Sequence, residues 1–325
     1  MAACGICGNT DAHRHHTARE MMFGFRDPFA YFECGACGCL QIAEIPADLG
    51  KYYPASYYSF RREALKPRRP LRSFFSKARA RYCLLGSNRL WCVRSKRYGA
   101  YEWFKKTGAG FGSRILDVGC GSGRRLLGMA EEGFTHLAGQ DVFVPETLDY
   151  GNGVCVRKTE LAELTGEFDL IMLHHSFEHM AAPQAVMREL HRLLAPGGRV
   201  LIRIPVAARA WREYGVDWVG VDAPRHFFLH TVRSMRLLAD GAGFETTDVV
   251  FDSGALQFWA SELIHGDLPL LEETPAGLRS RKHVFSRREM RTFKQRATEL
   301  NRLGEGDAAC FYLRKPRARP PGLKV

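Results

Sequence analysis

The stretch Ile115-Leu116-Asp117-Val118-Gly119-Cys120-Gly121-Ser122-Gly123 runs an apolar segment directly into a glycine-rich turn. Ile115, Leu116 and Val118 read as a buried strand, Gly119 and Gly121 let the backbone turn sharply and approach a ligand, and Arg124 to Glu132 reads as the helix behind it. Strand, turn and helix in this order make a cradle for a nucleotide-like cofactor, but one GxGxG does not say which. Asp141 closes the next strand-like run, Leu137 to Gln140. A carboxylate about 20 residues past such a turn also serves the ribose in a dinucleotide dehydrogenase. Residues further along separate the two.

Glu167 to His174 reads as a strand, His175-Ser176-Phe177-Glu178-His179-Met180 follows it, and a helix is expected from Pro183 to Leu194, stopped by Ala195-Pro196-Gly197-Gly198. Arg199 to Pro205 is the next apolar strand. The series FDLI, EH, LLAPGG and VLIRIP in this order resembles the class I S-adenosylmethionine-dependent methyltransferases and departs from dehydrogenases. The resemblance implies that the turn wraps the amino-acid end of S-adenosyl-L-methionine, that Asp117 orders its ammonium, and that Asp141 takes both ribose hydroxyls. Asp117, Gly119, Gly121, Gly123, Asp141 and His174 form the expected cofactor-binding set. The fold expected is α/β: a doubly wound, Rossmann-like sheet of seven strands, the last inserted antiparallel, behind an N-terminal zinc ribbon. Strands are expected at Arg114 to Val118, Leu137 to Val142, Val154 to Arg157, Phe168 to His174, Val200 to Pro205, Thr246 to Phe251 and Ala308 to Leu313.

The ribbon rests on cysteine spacing. Five of the ten cysteines fall within the first 39 residues, which suits metal binding better than a disulfide framework. Cys4-x-x-Cys7 and Cys34-x-x-Cys37 are each followed by glycine, Gly8 and Gly38, as in knuckles that aim backbone amides at thiolate sulfur. Four thiolates would close a structural Zn2+ site that folds a small module. Cys39 and the histidines His13, His15 and His16 are the weaker candidates for a ligand, the histidines reading as exposed loop residues. Cys120 is taken as a packing residue of the turn.

Charge is concentrated. From Arg61 to Lys106 the chain carries 15 Lys and Arg against 2 acidic residues, which accounts for essentially all of the formal net charge of +12. Three readings of this arm stand open: a solvated helical face packed on the catalytic domain, attraction to an anionic membrane surface or lipid-linked substrate, and contact with a nucleic-acid backbone. The expected organisation is a zinc ribbon at 1–50, an aromatic then basic helical linker at 51–107, a methyltransferase domain at 108–318 with a cap insertion at about 254–306, and a disordered tail at 319–325. No run of 18 apolar residues exists and the amino terminus lacks a leader pattern, so a cytoplasmic protein is expected, one that the arm could hold at the membrane periphery.

Methyl transfer from a sulfonium needs an in-line approach, desolvation and, for a hydroxyl acceptor, a base. His175, Glu178 and His179 follow the fourth strand, and Trp211, Trp218, Asp222, Pro224, Arg225, His226 and His230 lie in the connection after the fifth. His226 is expected as general base or acceptor-binding residue. His175-x-x-Glu178-His179 with a distant His226 is similar to the metal site of magnesium-dependent ubiquinone O-methyltransferases and small-RNA 2'-O-methyltransferases, so a second metal at His175, Glu178, His179 and His226 is a further expectation. A histidine in the first ligand position would suit zinc, iron or manganese better than magnesium. The whole chain resembles bacterial methyltransferases with an N-terminal zinc ribbon that act in polysaccharide, glycolipid and secondary-metabolite biosynthesis. That implies O-methylation of a sugar, glycan or other small-molecule hydroxyl; the rivals are an RNA methyltransferase and a non-catalytic binding scaffold.

Overall fold

Successive residues of the central strands belong to opposite apolar cores, as the two-residue side-chain period of a strand requires. Leu116, Val118, Ile171, Leu173, Ile202 and Phe311 pack on one side of the sheet, while Ile115, Leu170, Met172, Leu201 and Tyr312 pack on the other. Both faces are therefore buried, and helices cover both. This is seen in a computed structural model that describes residues 3–53, 70–86, 98–274 and 277–317.

The strands of the main sheet are β4 (Arg114–Val118), β5 (His136–Gln140), β6 (Leu148–Asp149), β7 (Val154–Arg157), β8 (Phe168–His174), β9 (Leu194–Pro205), β11 (Glu245–Phe251) and β14 (Ala308–Arg314). Their spatial order is β11-β14-β9-β8-β4-β5-β7-β6. From β9 to β7 the neighbours run parallel, and β14 inserts antiparallel between β9 and β11. The seven expected strands are all present, in the expected doubly wound order. Two-residue β6 adds an eighth at the edge.

One element differs from its sequence reading. Ala195-Pro196-Gly197-Gly198 does not only stop the helix Pro183–Leu193; it already belongs to β9. Gly197 adopts φ +80°, its amide donates to the Lys315 carbonyl at 3.1 Å, and Lys315 donates back to Gly198 at 3.0 Å. Long-range pairing with the end of β14 turns a local stop signal into strand.

Helices α1 (Pro70–Leu85) and α2 (Tyr98–Thr107) correspond to the expected basic linker. Ala80, Cys83, Tyr101 and Phe104 bury against Leu126, Leu127 and Met129 of α3 (Arg124–Glu132), so these helices form a layer of the fold. Residues 54–69 and 87–97 of the aromatic and basic arm, and the tail at 319–325, lie outside the described residues.

The N-terminal segment forms β1 (Arg14–Arg19), β2 (Pro28–Glu33) and β3 (Leu40–Ile42). Its sheet is completed by β10 (Phe228–Leu229), from the connection after β9. Ala18, Tyr31, Leu40 and Ile42 share one apolar cluster with Trp211, Trp218, Val221, Phe227 and Leu229. The module thus takes half its core from the body of the protein. His15 and His16 lie in β1 and not in a loop, and the His16 ring meets Trp211 edge-on at 5.1 Å.

Residues 254–306 fold as a helix (Leu256–His265), a hairpin of β12 (Leu271–Thr274) and β13 (Gly277–Ser280), and a helix (Arg287–Leu303) capped by Ser286 and Glu289. This insertion is tied to the N-terminal module. Leu270 and Leu271 donate amides to Met21 and Met22 at 2.8 and 2.9 Å, and Asp267 pairs with Arg19 and Arg26. Among the described residues no helix is long and apolar enough to cross a membrane.

Candidate active site

At the carboxyl end of β4 the chain turns at Gly119, whose amide donates to the Gln140 carbonyl at 2.8 Å. Glycine is required there: φ is +65°, and a Cβ would lie 2.5 Å from the Ser176 Cβ. Gly123 is equally constrained, at φ +77° with Val156 Cγ2 2.6 Å from an added Cβ. Asp141 ties the two strand ends together, accepting from the Gly121 amide and the Phe143 amide at 2.8 Å each. Each of its oxygens takes one of these bonds, which leaves one acceptor site on each.

Asp117 is 3 % exposed. Burial, with Asp141 adding to it and Arg125 at 3.7 Å opposing, pushes its carboxyl up to about 6. It suits a cationic ligand group, which would restore the ionised form. His174 ends β8 with both ring nitrogens buried and without a hydrogen-bond partner, its ring 4.5 Å from that of Trp103. Burial drives its pKa well below the ordinary value, so the ring is neutral.

These groups line one cavity of about 1490 Å³. Single drug-sized ligands occupy pockets of roughly 300–1,000 Å³. The cavity therefore has room for a cofactor and a second organic molecule. Asp117, Gly119, Gly121, Asp141 and His174 line it around the glycine turn, and His175, His179, Asp222 and His226 belong to the same lining.

Glu178, His179 and His226 offer ligand atoms that all lie within 4.8 Å of one another. His226 Nδ1 donates to the Gly220 carbonyl and His179 Nδ1 to the Arg225 carbonyl, each at 2.7 Å. A carbonyl can only accept, so Nδ1 carries a proton in both rings, and in the neutral tautomer the lone pair lies on Nε2. Glu178 is fully buried, and neither of its oxygens makes a well-formed hydrogen bond. Burial opposes its ionisation, but His175, with Nδ1 at 3.3 Å, and the positive charge that His179 and His226 carry once protonated outweigh that and hold the carboxyl at about 2. Burial, then the neighbouring His226, keeps His179 below the ordinary histidine value.

His175 stands outside this three-residue set, against the four-ligand expectation. Its backbone is left-handed at φ +52°, and its ring is held between Glu178 and Arg203, which in turn pairs with Asp252 at 2.6 Å. Of the second candidate group, Asp222 and His226 reach the cavity, while Trp211, Trp218 and His230 are packing residues buried near the module.

Sequence reasoning missed what holds His226. Arg225, fully buried, donates to Asp222 at 2.6 Å and to Glu20 at 3.0 Å. Glu20 also accepts backbone amides from Met22 to Phe25. Tyr31 donates its hydroxyl to the His226 carbonyl at 2.9 Å, and the Tyr53 hydroxyl lies 3.4 Å from His179 Nδ1. The signal available was Glu20, an acidic residue standing directly before the apolar run Met21 to Phe25.

In the N-terminal module the four sulfurs of Cys4, Cys7, Cys34 and Cys37 also lie within 4.8 Å of one another. The Cys4–Cys37 and Cys7–Cys34 contacts are 3.6 Å, close to the ~3.8 Å edge of a tetrahedron with Zn–S bonds of about 2.3 Å. Backbone amides of Ile6 and Cys37 point at sulfur at 3.4 and 3.5 Å. Cys39 is outside the cluster, against His230.

A doubly wound sheet with this strand order, a glycine turn after its first strand and a carboxylate after its second defines a class I methyltransferase fold. A methyltransferase-domain family model matches residues 69–249, more than half of the chain, and the chain belongs to that family. It is an S-adenosylmethionine-dependent methyltransferase. A ubiquinone biosynthesis O-methyltransferase of Pseudomonas aeruginosa is 29% identical over 168 residues, 46% of this chain and 72% of that one. The phosphoethanolamine N-methyltransferase 1 of Arabidopsis thaliana is 29% identical over 167 residues, 48% of this chain and 33% of its own length. Among solved structures, an S-adenosylmethionine-dependent methyltransferase from Mesorhizobium loti overlays with a TM-score of 0.41 at 17% identity, covering 69% of this chain and 99% of that one.

Proposed function

We propose that the protein O-methylates a small-molecule hydroxyl, with His226 as general base. The observation that carries this is the free Nε2 lone pair of His226, fixed by the Nδ1 bond to Gly220, in the same cavity as the glycine turn. The turn and Asp141 fit S-adenosylmethionine: a close backbone approach at Gly119, unused acceptor sites on Asp141, and a buried Asp117 that gains from a nearby ammonium. When bound, the sulfonium supplies an electrophilic methyl group and retains the electron pair of its broken C–S bond. His226 takes the hydroxyl proton at Nε2 as the oxygen forms its new bond to carbon. Asp222, 3.8 Å from Nε2, and Glu178 stabilise the imidazolium that results. Replacing His226 by Ala should lower turnover by about 10²–10⁴ and leave S-adenosylhomocysteine affinity within a few-fold. Unchanged turnover would remove His226 from the mechanism.

The two relatives named above are a ubiquinone biosynthesis O-methyltransferase and a phosphoethanolamine N-methyltransferase, and neither name points to a glycan acceptor. RNA remains an alternative acceptor because of the basic arm, much of which lies outside the described residues. We assign structural Zn2+ to Cys4, Cys7, Cys34 and Cys37 on the tetrahedral spacing of their sulfurs.

A second reading, a metal at Glu178, His179 and His226, has a specific observation behind it. A buried carboxylate without hydrogen bonds faces two imidazoles whose Nε2 atoms are both unprotonated, and such a two-histidine, one-carboxylate donor set suits iron, zinc or manganese. The metal would act on the acceptor oxygen as a Lewis acid. Elemental analysis separates the readings. One zinc per chain, lost in Cys4→Ser, is the expected result; a second equivalent lost in Glu178→Gln would favour the metal over the free base.

A further inference from the structure

Beyond His226 the cavity changes character. The N-terminal module contributes Met22, Ile45 and Leu49, the connection after β9 contributes Val219, and the 254–306 insertion contributes Leu256 and Leu270. None of these six side chains carries a hydrogen-bond donor, and the Met22 thioether is at most a weak acceptor. Three segments far apart in sequence have converged on one apolar wall. Two of its members sit at the mouth in water, Ile45 at 37 % and Leu256 at 48 % exposure, so the apolar surface continues outward from the site.

The polar groups on this side are largely paired among themselves. Arg203 is held by Asp252 and His175, Asp307 accepts from Trp218 Nε1 at 3.0 Å, and Asp222 is engaged by Arg225. One oxygen of Asp252 is buried without a partner. With Nε2 of His226 and of His179 it is one of a few acceptor sites, gathered near the head of the cavity. A polyhydroxylated acceptor would need many free donors and acceptors along its length, and burying hydroxyls against these six apolar side chains would leave them unsatisfied. An apolar chain gains from the same wall.

The wall is also built to stay assembled. Leu270 and Met22 belong to segments joined by the Leu270–Met21 and Leu271–Met22 backbone bonds and by the Asp267 pairs with Arg19 and Arg26. We infer that the acceptor is amphipathic: a compact hydroxyl-bearing head against His226 and His179, and an apolar chain or ring body lying between the N-terminal module and the insertion. This rests on the proposed function and names its substrate class. Of the sugar, glycan or other small-molecule hydroxyl that the family resemblance implied, it selects the last.

The test is calorimetric titration of the full-length protein, loaded with S-adenosylhomocysteine, with 4-alkylphenols from methyl to octyl. Affinity should rise by about two- to fourfold per methylene until the wall is covered, since a buried methylene is worth about 0.8 kcal/mol. Ile45→Asp and Leu256→Asp, both at exposed positions, should flatten that dependence by about tenfold at the octyl member while S-adenosylhomocysteine affinity stays unchanged. Affinity independent of chain length, or UDP-glucose binding as tightly as the octyl phenol, would overturn the inference with the proposed function intact. Failure to bind S-adenosylhomocysteine would overturn both.

Discussion

The two ends of the cavity are built in opposite ways. The end proposed for the cofactor is local: Asp117, Gly119, Gly121 and Asp141 come from one strand, its turn and the end of the next strand, and the bonds from Gly119 and Gly121 to Gln140 and Asp141 close it. The acceptor end is assembled from residues 20–53, 174–226 and 252–270, and its central histidine is held by Arg225, Glu20 and Tyr31 across about 200 residues of sequence. A local site tolerates changes elsewhere in the chain. A site assembled over long range should fail as a unit when one buried tie is cut.

Arg225→Met should break the comparison hardest. It leaves Glu20 and Asp222 as buried carboxylates without their common partner, and removing one member of a buried charge set costs about 3–5 kcal/mol. A large drop in the urea midpoint is expected, with the loss concentrated where the N-terminal module meets the 222–226 segment. Hydrogen exchange that slackened β4 and the glycine turn equally would show that the two ends are not separable.

Next in size is the pH dependence of Asp117. Its folded pKa of about 6 lies above the ordinary carboxylate value, so the ligand-free fold favours the protonated form. The cost of ionising it sets in as pH rises from about 4 to 6 and persists above. Asp117→Asn should therefore stabilise the ligand-free protein at pH 7.5 by about 2–3 kcal/mol, with the gain vanishing below pH 4. Denaturation midpoints of the two proteins across that range check the sign; a gain that does not shrink on acidification would show that Asp117 is not held up by burial.

The same contrast explains what could be read from the sequence. Every strand of the main sheet beyond the two-residue β6 was legible, because continuous apolar runs between turn signals are local and both faces of the sheet are covered. So were the glycine turn and the paired CxxC knuckles, whose chemistry lies in spacing. β10 was not, because Phe228–Leu229 becomes a strand only by pairing with Leu40 and Gln41. The dependence of His226 on Glu20 and Tyr31, and the convergence of Met22, Ile45, Leu256 and Leu270, are properties of the assembled fold with no periodicity to announce them. His175 illustrates the limit: its position beside Glu178 suggested a fourth ligand, but Arg203 from the neighbouring strand claims its ring.

The most direct test of this division is S-adenosylhomocysteine calorimetry on three proteins: the parent chain, Asp141→Ala and His226→Ala. A local cofactor site predicts one binding event per chain. It should be weakened by about 10- to 100-fold in Asp141→Ala, where a charged acceptor of two backbone amides, and by our proposal of the ribose, is lost, and altered less than a few-fold in His226→Ala. No binding by the parent chain, or equal losses in the two variants, would contradict it.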